Sequence, residues 1–541
     1  MGTGIFQKKN LPELLFGGIF LLFAIRLNLQ FLDGANINHF IAGHDEYLTI
    51  REVYSILEPA SMKHWFLAVI GGDILYYGRV VFYSDALVAW LPYKIWGISG
   101  LVMAVRMAHA LWILLAVIVL GRSFIRNPAF RLFWYWGACA LQYTLYFTAL
   151  PKPEPIQLLF LALFFRGLMT EGSPRFGKHY FWLGLAFAVK FNILTILPLL
   201  FILPLFARNA FNGLDWIKRG LRSLVFFIGG FFTGIPCLLL SPVKPIYLHT
   251  YLRKTFLGTG KSYDDATLGF TQWMQQGLGN EYLNASWASY VFFALVIWLL
   301  LDGAFKFIKQ SQAEISLIAG LSGFILLMSI MIMTKRLWPH YLWTGYLLCW
   351  FAMIQYASQA WNSGSFRRLS IYVFVFLGCL WPAYGFLGGT APAYLHRDQL
   401  PEMKQADTGA DLLYQYLEQS YTGKRIGVDW SIKYPYKYYL KAYPYQQDAA
   451  NLRKPDENLI KWHSDYPELI WDESDVVVFQ KNHPPQLKNK PTIAGKSVSN
   501  DSLYRLFLQK TTPQLYPDGH PISGKFYLDT LIQGNYIYVR Q

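Results

Sequence analysis

Charge is what this chain has least of. Asp, Glu, Lys and Arg make up only 15% of its 541 residues and 54% are hydrophobic, against roughly 25% charged in an average soluble domain. That balance excludes an ordinary water-soluble enzyme. Cysteine is scarce as well: Cys139, Cys237, Cys349 and Cys379 all lie in apolar runs, without C-x-x-C spacing, so neither a disulfide framework nor a zinc site is encoded. The internal repeats common in transporter folds are not evident. Gly260-Lys261-Ser262 ends like a P-loop, but Thr255 stands where that motif requires glycine, which excludes nucleotide binding there.

What is present is a succession of apolar runs, among them LPELLFGGIFLLFAIRLNL, LVMAVRMAHALWILLAVIVL, ISLIAGLSGFILLMSIMIM and IYVFVFLGCLWPAYGFL. Each approaches the roughly 20 residues that cross a bilayer's hydrocarbon core. The chain therefore reads as an α-helical polytopic membrane protein. Its first run is too long for a removable signal peptide and is expected to stay in the membrane. The formal net charge is +15, but much of the surplus sits in short loops, where Lys and Arg set orientation by staying cytoplasmic. It is a topology signal, and nucleic acid is not implied as a partner.

Placing the basic loops GRSFIRNPAFR, GSPRFGK, RNAFNGLDWIKRGLR, KFIKQ and SFRRLS in the cytoplasm gives about eleven crossings, N-terminus in and C-terminus out. Residues 1–389 form the membrane domain, with outer loops 30–98 and 241–287. Residues 390–541 lose the apolar runs and gain strand-like pieces, RIGVDW, DVVVFQ, KFYLDTL and NYIYVRQ, which predict a periplasmic or lumenal α+β domain. In loop 30–98, DEYLTIREVYSIL and SDALVAWLPYKIWG have helical apolar periodicity and are expected at the membrane surface.

One segment, HYFWLGLAFAVKFNILTILPLLFILPLFAR, lies between two cytoplasmic loops yet is too short for two full spans. It predicts a hairpin of half-length helices with Lys190 at its tip, a geometry tolerated only inside protein or beside a wet cavity. A single tilted helix with Lys190 snorkelling to a headgroup is the alternative.

In this topology four polar clusters share the outer side: His44-Asp45-Glu46 with Arg51; Lys152 and Glu154 in LPKPEPIQLL; Lys190; and Lys335, Arg336, His340 and Tyr341 in MTKRLWPHYLW. Acids and cations gathered on one face suit group transfer from a phosphate-linked lipid. A carboxylate takes the proton of an acceptor hydroxyl while cations stabilise the departing phosphate. Acids in a first helical turn also serve simply as caps.

HDEYLTIREVYSIL resembles the first outer loop of the GT-C type glycosyltransferases that use polyprenyl-phosphate sugars, including protein O-mannosyltransferases and aminoarabinose transferases. SDALVAWLPYKIWGISGLVMAVRMAHALWILL, with Gly97 and Arg106 in matching places, GLAFAVKFNILTILPLLF and KRLWPHYLW are similar to later blocks of that family. The resemblance covers roughly the first 390 residues. It implies an inverting transferase of hexosyl or pentosyl groups, with a polyprenyl-phosphate sugar as donor and a glycan, lipid or protein as acceptor, in a bacterial inner membrane or in the endoplasmic reticulum. Asp45 is then the general base and Glu46 its helper, with Lys190, Lys335, Arg336 and His340 facing the donor phosphate. The family's usual Pro-Pro is absent, and YYGRVVFYSDAL supplies Tyr77 and Arg79 as donor-side candidates. Asp45 with Glu46 or Asp73 would suit a divalent metal through oxygen ligands, which only some relatives use. The rival readings are a transporter or flippase for a lipid-linked or anionic solute, and a polysaccharide polymerase or ligase.

Overall fold

The computed structural model describes residues 11–29, 46–59, 61–70, 77–139, 141–169, 175–206, 213–236, 238, 269–310, 314–333, 339–361, 401–424, 426–429, 460–463, 475–480, 492–493, 496–497, 526–532 and 534–540. The chain divides into two compact units: Met1–Asn28, Phe66–Leu91 and Met103–Leu395 form the first, and Leu29–Trp65, Pro92–Val102 and His396–Gln541 the second.

In the first unit α1 (Leu11–Leu29), α3 (Met62–Ile70), α4 (Arg79–Phe124), α5 (Pro128–Cys139), α6 (Gln142–Ala149), α7 (Glu154–Leu168), α8 (Tyr180–Val189), α9 (Leu197–Ile202) and α10 (Gly213–Gly234) are followed by α11 (Ala288–Gln310), α12 (Ile315–Met333) and α13 (Trp343–Ala360), some shared at their ends with the second unit. Among the described residues three helices are long and apolar enough to cross a bilayer: Arg79–Phe124, Ala288–Lys309 and Ile315–Met333. Large apolar side chains stand on the outer surface, with Leu22, Val225, Leu301 and Ile308 each about two-thirds exposed or more. Water would not stabilise that surface, whereas lipid does. The protein is an integral membrane protein. The last expected span, 371–387, lies outside the described residues, as does the Gly260-Lys261-Ser262 loop.

Helix α4 is not one rod. Straight, it would hold residues 24 apart at about 36 Å, yet Asp85 and His109 are bonded across 24 positions at 2.9 Å. Gly97, at φ 62° and ψ −141°, takes a backbone conformation that glycine alone adopts without strain, so residues 79–96 and 98–124 form two arms. Close packing recurs elsewhere. A Cβ on Gly184 would stand 2.0 Å from the Phe227 carbonyl oxygen, and one on Gly230 2.1 Å from that of Phe181. Such small residues let helix backbones touch, as membrane helices commonly do; here they join α8 to α10. Helices α7 and α13 are buried along nearly their whole length and form the centre.

The second unit includes α2 (Glu46–Leu57), as its apolar period predicts, with Ile50 and Val53 fully buried. The last part holds α14 (Pro401–Ser420) and a five-stranded sheet in the order β2-β1-β3-β7-β6. Here β1 is Ile426–Asp429, β2 Ile460–His463, β3 Val476–Gln480, β6 Phe526–Ile532 and β7 Asn535–Arg540; β4 (Thr492–Ile493) and β5 (Lys496–Ser497) pair separately. Strand β1 runs parallel to β2 and β3, while β7 is antiparallel to β3 and β6. Alternation explains the core: Ile426, Val428, Val476, Val478 and Ile537 are buried, every second residue facing one side. Gly534, at φ 73°, makes the β6–β7 turn.

Candidate active site

The site begins at the break after α8. Lys190 is extended, at φ −158° and ψ 129°, and the chain continues through a 3-10 turn, Phe191–Ile196, into α9. It doubles back: the Tyr180 hydroxyl donates to the Leu200 carbonyl at 2.8 Å. The expected hairpin is therefore present, with Lys190 at its tip.

Broken helix ends leave carbonyls unsatisfied, and inside an apolar bundle each such group is costly. Gln157 on α7 resolves this. Its buried amide nitrogen donates to Ala186 O at 3.0 Å, Lys190 O at 2.8 Å and Asn192 Oδ1 at 2.9 Å. Glu154 lies three residues earlier on α7, hence on the same face. Its Oε1 accepts a hydrogen bond from the Lys190 ammonium in a buried ion pair. One helix face thus holds both the backbone and the charge of Lys190. On its other side the ammonium stands 4.1 Å from the Tyr341 ring centroid.

The turn carrying His340 and Tyr341 is fixed by aromatics. The Tyr282 hydroxyl donates to Pro339 O at 2.8 Å; Tyr282 stacks on Tyr143 at 5.0 Å and tilts against Tyr346 at 4.9 Å. His340 stacks on Tyr146 at 5.9 Å, and Tyr143 donates to Glu281 Oε2 at 2.9 Å. Lys190, His340 and Lys152 all act electrostatically on the Glu154 carboxylate. Lys152 and Lys190 thus meet two acids, Glu154 and the Glu281 bonded to Tyr143, and His340 adds a further basic group. Glu154 Oε2 has no hydrogen-bond partner among the described residues.

The structure therefore brings together Lys152, Glu154, Lys190, His340 and Tyr341. It gives Arg79 other work: the buried guanidinium bonds the Ala68 carbonyl, tying α4 to α3, and lies 4.8 Å from the Phe82 ring centroid. That bond uses one of the five N–H donors of the guanidinium. Tyr77 is half-buried just before α4. Arg51 belongs to the second unit, buried, 4.0 Å from Glu52. Glu46 is the first residue of α2. Asp45, Asp73, Lys335 and Arg336 lie outside the described residues. Among those described, no three His, Cys, Asp or Glu side chains are grouped to hold a metal.

Sequence reading missed Gln157, Tyr143, Tyr282 and Glu281, and also Asp85 and His109, a hydrogen-bonded pair with both side chains wholly buried. Polar residues inside apolar helices were the available signal. A separate cavity of about 580 Å³, lined by Arg122, Ser123, Arg166 and Met169 among others, lies at the opposite end of α7 from Glu154.

No family model matches the chain, and no curated protein matches it in sequence. Solved structures do. ArnT from Cupriavidus metallidurans bound to undecaprenyl phosphate aligns over 97% of both chains, at 12% identity and a TM-score of 0.54, and its apo state does so at 11% identity and 0.53. The apo oligosaccharyltransferase of Archaeoglobus fulgidus, at a TM-score of 0.42 over 79% of this chain and 63% of its own, is too distant to add to the argument. At these identities the likeness is one of fold: this integral membrane protein has a fold like that of ArnT.

Proposed function

We propose that the protein is an integral-membrane glycosyltransferase. It moves a hexosyl or pentosyl group from a polyprenyl-phosphate-linked donor to an acceptor hydroxyl on a glycan, lipid or protein, at the periplasmic face of a bacterial inner membrane. The observation that carries this reading is the buried Glu154–Lys190 pair with Lys152, His340 and Tyr341 around it. It is a preformed, buried site bearing two lysines and a histidine, within a fold whose solved relative binds undecaprenyl phosphate.

The acceptor oxygen attacks the anomeric carbon, the carbon–oxygen bond to phosphate breaks, and configuration inverts. Asp45 takes the acceptor proton, with Glu46 beside it. Negative charge grows on the leaving polyprenyl phosphate, and Lys190 and Lys152 stabilise it, fixed donors in a low-dielectric site being worth far more than in water. Lys335 and Arg336, a few residues before His340 in sequence, are further candidates for the donor phosphate.

The test is incubation of the purified protein with polyprenyl-phosphate sugars and detection of released polyprenyl phosphate. Asp45→Asn is expected to leave folding intact and abolish release. Full activity in that variant removes Asp45 as base, and failure of the wild type with every donor favours a transporter or flippase.

A further inference from the structure

Asp85 and His109 are both fully buried, and nothing in the proposed chemistry uses them. A buried ionisable pair in an apolar bundle is costly to keep unless it is satisfied and serves a purpose. Their bonds specify a direction. His109 Nδ1 faces the backbone N–H of Lys152 at 3.3 Å, so Nδ1 is an acceptor and carries no proton. The ring proton therefore sits on Nε2, 2.9 Å from Asp85 Oδ2, while Asp85 Oδ1 accepts from Trp112 Nε1 at 3.4 Å. The chain of bonds runs Trp112, Asp85, His109, Lys152, and it ends on the segment that carries Lys152 and Glu154.

That segment, Pro151-Lys152-Pro153-Glu154-Pro155, has no N–H at three of its five positions. The Lys152 amide is thus its first backbone donor, and His109 holds it. We propose that Asp85 and His109 are positioning residues: Asp85 selects the His109 tautomer whose free Nδ1 fixes the Lys152 amide, and through it sets Lys152 and Glu154 to receive the donor's phosphate. The inference rests on the function proposed above only in naming what is received. The logic is that of a carboxylate that orients a histidine and selects its tautomer without itself taking the proton.

Asp85→Asn tests it in the full-length protein. Trp112 keeps the carbonyl oxygen of the new amide, so its NH2 faces His109 Nε2. That forces the ring proton to Nδ1, against the Lys152 N–H. Two readouts follow: amide hydrogen exchange of peptides covering 151–155, where only Lys152 and Glu154 have an exchangeable amide, and the affinity for undecaprenyl phosphate. The expected result for Asp85→Asn is faster exchange in this segment and at least tenfold weaker binding. Adding Trp112→Phe frees the amide to turn its oxygen toward Nε2–H, and both readouts are expected to move back toward wild type. His109→Asn, whose Oδ1 stands near the place of Nδ1, is expected to keep binding within about threefold, whereas His109→Gln, which matches only Nε2, loses it.

Unchanged exchange in Asp85→Asn overturns the proposal. Faster exchange with unchanged binding reduces the pair to a structural role and overturns it too. If the wild type itself fails to bind undecaprenyl phosphate, the functional reading falls, while exchange in the variants still decides whether the pair holds Lys152.

Discussion

The Lys190 ammonium lies between the Glu154 carboxylate and the face of Tyr341, 4.1 Å from that ring's centroid. It is held by charge on one side and by π electrons on the other, at the tip of a hairpin within the bundle. Each restraint makes a separable prediction.

Removing one partner of a buried ion pair strands the other, at a cost of about 3–5 kcal/mol. Lys190→Met is expected to lower the melting temperature sharply in detergent. The double variant Lys190→Met with Glu154→Gln should recover most of the stability and none of the transfer activity. A single variant as stable as wild type would show that the pair is hydrated.

The Tyr341 ring is worth about 0.5–2 kcal/mol to the ammonium. Tyr341→Phe keeps the ring face and should bind undecaprenyl phosphate as wild type does. Tyr341→Leu loses it, and binding should weaken roughly 2- to 30-fold, with little change in melting.

Gln157 satisfies the broken end of α8 with one amide. Gln157→Leu removes the amide donor from those carbonyls in an apolar interior and should destabilise by about 1–3 kcal/mol. Thermal melting measures the loss. Gln157→Glu, which keeps the shape but removes the donor, should fare no better.

Gly184 and Gly230 each lie against a carbonyl of the facing helix. Overpacking costs about 1–3 kcal/mol or more, so Gly230→Leu should reduce the yield of monodisperse protein. Gly229→Ala, whose Cβ meets nothing within 4 Å, should not.

The hairpin at Lys190 was legible because two basic loops force an even number of crossings through an apolar segment too short for two spans. The strands Ile426–Asp429, Val476–Gln480, Phe526–Ile532 and Asn535–Arg540 were legible from their short β-branched and aromatic runs. Strand Ile460–His463 was not, because its short run IKWH mixes polar and apolar residues and depends on β1 beside it. The bond from Arg79 to Ala68 O was not legible either, because it joins α4 to a helix whose packing the sequence does not show.

Composition and apolar run length by themselves determined that this is a helical membrane protein, because burying so much apolar surface leaves few other architectures. The tertiary structure alone decided which charges meet. Asp85 reaches His109, and Lys190 reaches Glu154, only because the chain reverses at Gly97 and at Lys190. Such a reversal is a local backbone choice, and hydrophobic periodicity, which reports only which face is buried, carries no record of what lies across the turn.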